Sequence, residues 1–70
     1  MPKLPGISYR RAVKAFEKAG FEIVRQSGHL VMKRDGVTIE IPRHNPINAY
    51  TMAAIVRQAG LTIEQFKALL

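Results

Sequence analysis

Neither cysteine nor tryptophan occurs in this chain of 70 residues. Without cysteine there is no disulfide, no thiolate nucleophile and no thiolate zinc site, so nothing staples the fold covalently. That absence fits a reducing cytoplasm, where the protein is expected to reside. Long apolar runs are missing too: the longest is Met52 to Val56, far short of the ~20 residues a membrane helix needs. The first residues hold no signal-peptide apolar stretch, so neither a targeting segment nor a membrane span is expected. No phosphate-cradling glycine loop, H-x-x-x-H pair or G-x-S-x-G turn is present. Two histidines with scattered carboxylates make no metal-site pattern, and no metal or cofactor is expected. Acidic residues are also scarce, 5 against 11 Lys and Arg, which leaves a formal charge of +6.

The residues that are present describe one small folded domain over 1–70. A hydrophobic share of 47% with charges interspersed supports a core and argues against disorder. A chain this short buries only about 60% of the surface its unfolded form exposes, so its stability is small. The charge is unevenly placed. Residues 1–34 carry eight basic side chains against Glu17 and Glu22, whereas residues 35–70 carry three of each sign. Such asymmetry points to nucleic acid, an acidic membrane surface or an acidic protein partner.

Local signals predict an α+β order. Ser8 is a helix N-cap, Ala12, Val13, Phe16 and Ala19 follow at helical spacing, and Gly20 ends that helix. Phe21–Gln26 reads as a strand, Ser27-Gly28 as a tight turn, and His29–Arg34 as a second strand. Asp35-Gly36 is a hairpin signal, because both central positions of a type I′ turn need positive φ. Val37–Ile41 completes a three-stranded antiparallel sheet, and Pro42 to Asn48 is a loop. A helix with Met52, Ile55, Val56 and Ala59 as its buried stripe runs to Gly60. Thr62 and Gln65 form a capping box that opens a short last helix, with Leu61 stapling to Phe66 and Leu69 or Leu70 packed. Tight turns place Phe21, Ile23, Leu30, Met32, Val37, Ile39 and Ile41 on a core face. The outer face then carries His29, Lys33 and Glu40, with Val24 opposite Val31.

His29 is the residue to weigh first, an imidazole that exchanges protons near neutral pH on a strongly basic surface. A lone surface histidine is also a common bystander, and the residues alone leave both readings open. His44, in the loop, reads most simply as a side chain bonded to loop backbone. Arg10, Lys14 and Lys18 recur at i, i+4, i+8 and form a basic stripe on the first helix. Like charges at this spacing repel by roughly 0.2–0.5 kcal/mol per pair, and a phosphate backbone relieves that repulsion. The stripe is either a solvated face or a nucleic-acid contact. None of the aromatic residues falls on the outer sheet face, so a stacking platform for splayed bases is unsupported. An α-β-β-β-α order with a basic surface instead matches the double-stranded-RNA-binding architecture.

Along the chain come, in order, Lys3-Leu4-Pro5, Ala15-Phe16-Glu17-Lys18-Ala19-Gly20-Phe21 and the histidine-bearing turn. Ile41-Pro42-Arg43-His44 and Ile55-Val56-Arg57-Gln58-Ala59-Gly60-Leu61 follow. Together these segments carry a resemblance to the HicA (YcfA-like) family of toxins, small messenger-RNA-cleaving proteins of bacterial toxin–antitoxin pairs. The resemblance implies a double-stranded-RNA-binding-like fold, a messenger RNA substrate, a HicB-type antitoxin partner and one catalytic histidine in a Gly-Ser-His triplet. Here the triplet reads Ser27-Gly28-His29, so the histidine is retained and the two small residues are exchanged. The catalytic role carries over to His29, while no role carries over to His44. Around His29, Arg25 and Lys33 are the expected cations, and Glu40, diagonal across the hairpin, is placed to orient the imidazole. A non-catalytic RNA- or DNA-binding module, or a degenerate toxin homologue, is the alternative.

Overall fold

The Ser8 hydroxyl accepts from the backbone N–H of Arg11 at 3.4 Å and starts the first helix, α1, at Tyr9–Lys18. Its buried face is Ala12, Val13, Ala15 and Phe16, and the chain leaves it through Gly20 at φ +99°. The structure, a computed structural model, describes residues 6–70. Lys3-Leu4-Pro5, where the family resemblance begins, lies outside the described residues. Strands β1 (Glu22–Arg25), β2 (Leu30–Arg34) and β3 (Val37–Ile41) follow, then α2 (Ala49–Gln58) and α3 (Ile63–Leu69). The sheet is antiparallel in the order β1-β2-β3. This is the α-β-β-β-α order with a short last helix that the sequence predicts.

Asp35 at φ +46° and Gly36 at φ +82° supply the two left-handed positions of the β2–β3 turn. That turn fixes the register Met32↔Ile39, Leu30↔Ile41 and Val31↔Glu40, as expected. Leu30, Met32, Ile39 and Ile41 thereby point into one core with α1, α2 and α3. Phe16 is its centre, with ring centroids 5.6 Å from Phe21 and 5.0 Å from Phe66. Thr62 and Gln65 make both bonds of the capping box, which holds α3 in place to bury Phe66. Among the described residues no polar or charged side chain is buried, so the core is apolar throughout and the chemistry is left to the surface.

Three details depart from the sequence reading. Arg25, not Val24, pairs with Val31, because a bulge between Ile23 and Arg25 inserts Val24 as an extra residue. His29 is not the first residue of a strand: it closes the bend Ser27–His29, and β2 begins at Leu30. Val37, at the hairpin end of an edge strand, is 37% exposed and lies outside the core. The loop from Pro42 to Asn48 is also more tied down than its composition suggests. Ile47 is fully buried, and its N–H donates to the Ile7 carbonyl at 2.7 Å in an isolated antiparallel bridge.

Candidate functional site

Strict alternation along β1 would turn Arg25 to the same side as Ile23, toward the core. The bulge changes that parity, since an extra residue reverses the faces of all that follow. Arg25 therefore emerges beside Val31 on the open face of the sheet, the face no helix covers. Its Nε donates to the Ser27 hydroxyl at 3.3 Å across the bend. Gly28 then takes φ +72°, a left-handed conformation that strains a side-chain-bearing residue by roughly 1–2 kcal/mol. Gly28 thus suits this bend.

The bend delivers His29 to the same open face. Its Nδ1 lies 3.4 Å from Oε2 of Glu40, which projects from β3. Both side chains are 66% exposed, so the pair is solvated and adds little to stability. With Nδ1 toward the carboxylate, Nε2 is the nitrogen left to meet a ligand. Arg25, Ser27, Gly28, His29, Val31 and Glu40 line a shallow cleft of about 220 Å³. A proton-exchanging ring, a carboxylate behind it and a guanidinium beside it are thus gathered in one place.

Not every expected cation joins them. Lys33 lies farther along β2, opposite Glu22 and Thr38, and lines a separate depression of about 350 Å³ with Val24, Arg34 and Asp35. Arg10, Lys14 and Lys18 sit on α1, in the helix layer, and none lines the cleft. Lys18 donates to the Leu69 carbonyl at 3.3 Å, at the C-terminal end of α3. Arg10 hydrogen-bonds the Tyr9 hydroxyl, and that bond, then its charge, lowers the Tyr9 phenol below its usual pKa. Desolvation opposes the shift, and the charge of Arg43 adds to it. The same bond raises the Arg10 guanidinium further. His44 is exposed in its loop and does not line the cleft.

Sequence reasoning missed Arg43, whose Nη2 donates to the Gln26 carbonyl at the end of β1. The Pro42-Arg43-His44 run marks this loop, but no local pattern says which distant carbonyl it meets. Among the described residues no group of three or more His, Asp or Glu side chains is arranged to hold a metal ion. No helix among them is long and apolar enough to cross a membrane.

Residues 9–61 match the family model described as HicA toxin of bacterial toxin–antitoxin. Neither a curated protein nor a solved structure matches the chain. The matched stretch takes in α1, the whole sheet, the His29 bend, the Arg43 loop and α2, which is most of the chain. On that match and this fold, the chain belongs to the HicA toxin family of bacterial toxin–antitoxin systems.

Proposed function

We propose that this protein is the toxin of a type II toxin–antitoxin pair, a metal-independent endoribonuclease that cuts messenger RNA in the cytoplasm. The observation that carries the proposal is the His29–Glu40 pair in an open cleft beside Arg25. In this reaction the ribose 2′-oxygen attacks phosphorus, the 2′-O–P bond forms and the P–5′-O bond breaks. A proton leaves the 2′-hydroxyl and one reaches the departing 5′-oxygen. His29, through Nε2, takes the first of these protons or gives the second. Glu40, accepting from Nδ1–H, fixes the ring's orientation and tautomer. Arg25 supplies positive charge where the phosphorane becomes more negative. The products are a 2′,3′-cyclic phosphate and a 5′-hydroxyl end.

Arg10 and Lys14 on α1, with Lys33 on the sheet, serve in this reading as more distant phosphate contacts that hold the strand. A HicB-type antitoxin, the partner the family implies, silences the enzyme by covering the cleft. The net charge of +6 favours rapid capture of an acidic partner surface. One experiment tests these statements together. Purified protein is incubated with RNA in EDTA, beside His29→Ala and beside the complex with the antitoxin. Cleavage by the wild type alone, leaving cyclic phosphate ends, is expected. Equal cleavage by His29→Ala refutes the role of His29, and loss in EDTA refutes metal independence. Full activity in the complex refutes inhibition at the cleft. RNA bound but recovered intact points to a binding module or to a degenerate toxin, the latter suggested by the exchanged Ser27-Gly28 order.

A further inference from the structure

The bend that carries His29 has few restraints of its own: Ser27, Gly28 and His29 are exposed, and Gly28 has no atom within 4 Å of where a Cβ would stand. A catalytic imidazole on so open a bend needs a fixed base, since misplacement by about 1 Å can cost a hundredfold in rate. The fixed base comes from the far side of the sheet sequence. Arg43 leaves β3 just after Pro42 and donates from Nη2 to the Gln26 carbonyl, the last backbone acceptor before the bend. Its own loop is anchored twice. Asn45 Oδ1 accepts from the Tyr9 N–H at 3.3 Å, and Ile47 is bridged to Ile7. Gly6 passes Pro46 so closely that a Cβ would come within 3.0 Å of that ring. Behind it, the charge of Arg43 is near enough to Tyr9 to help lower the phenol.

We infer that Arg43 is a positioning residue for the ribonuclease reaction: it ties the His29 bend to the anchored loop and so to the N-terminal end of α1. The inference rests on the proposed RNA cleavage by His29, but its physical half can be read without RNA. Glu40 fixes the ring from β3, and Arg43 fixes the backbone that carries the ring. Arg43 does not touch the cleft, so its loss acts on turnover and leaves substrate capture intact.

The test compares Arg43→Met, which keeps the stem and deletes the donors, with Arg43→Lys, which keeps a donor and the charge. Arg43→Met should lower kcat by about ten- to a hundredfold while KM changes less than about twofold, as expected when only the transition-state arrangement is lost. Backbone NMR order parameters at Ser27, Gly28 and His29 should fall, with those of Phe16 and Ile39 unchanged. Arg43→Lys should recover most of kcat. Should Arg43→Met fail to fold, Arg43→Ala, which also lacks a side-chain donor, carries the same readouts. A rise in KM at unchanged kcat, or wild-type order parameters in the bend, overturns the inference: Arg43 then grips RNA or does nothing to the loop. If wild type and His29→Ala both leave RNA intact, the ribonuclease reading fails. The order parameters still decide whether Arg43 holds the bend.

Discussion

Glu40 sits where its carboxylate can set the His29 ring, yet both partners are two-thirds open to water. An ion pair so exposed contributes about 0–1 kcal/mol, and only when the imidazole is charged. The contact is therefore poorly suited to hold the fold and well suited to hold a tautomer. Glu40→Gln keeps the side chain's length and can still accept from Nδ1–H, but through a neutral amide oxygen in place of a carboxylate. We expect its melting temperature to stay near the wild type's, since surface changes of this kind fall within about 0.5 kcal/mol. Its RNA cleavage should fall roughly tenfold, a fraction of what acid–base catalysis as a whole contributes. Thermal melts and cleavage rates on the same sample check both halves. A variant as active as wild type would mean that Glu40 is a bystander to the ring.

Each helix of the fold announces itself through chemistry within a few residues. Ser8 and Thr62 cap their helices as the sequence predicts, Asn48 caps α2 from the end of its loop, and Asp35-Gly36 makes the turn its φ values require. The apolar stripe of α1 converges on Phe16, whose ring is wholly buried between Phe21 and Phe66. Removing such a ring costs about 3–5 kcal/mol, against a total of roughly 4–10 kcal/mol for a domain of this length. Phe16→Ala should accordingly lose most of its cooperative thermal transition, followed by circular dichroism. A melt within a few degrees of wild type would show that α3 can close over the gap. The β1–β2 hairpin was less legible. Nothing in Phe21–Gln26 marks Val24 as the bulged residue, because Ile23-Val24-Arg25 fits an unbroken strand equally well. The bulge turns Arg25 outward into the cleft, and the slip at the turn moves His29 off the strand. Likewise Arg43, Asn45 and Ile47 reach partners that only the closed fold brings near. His29 and Glu40 were within reach of the sequence because the Asp35-Gly36 turn alone fixes β2 against β3.

The molecule has two surfaces of different use. The open sheet face carries the cleft, while much of the excess positive charge stands on α1 in the helix layer. A strand of RNA held at both would meet the basic side chains of α1 as well as the cleft. The basic side chains on α1 are not equivalent in this respect. Lys18 already donates to the Leu69 carbonyl and partly serves the α1–α3 contact, whereas Lys14 is exposed at mid-helix. Binding to single-stranded RNA releases counterions, so the logarithm of affinity falls linearly with that of salt, by about 0.7 per phosphate contact. His29→Ala provides a background in which RNA is bound and left uncut. In that background, removing Arg10 and Lys14 together should reduce the slope by about 1.4 if each meets one phosphate. Removing Lys18 should change the slope less, and should lower the melting temperature slightly instead. Titrations of a fluorescent RNA at several salt concentrations measure both. An unchanged slope in the Arg10/Lys14 double variant would confine the RNA to the sheet face, leaving Arg25 and Lys33 as the cations that carry binding.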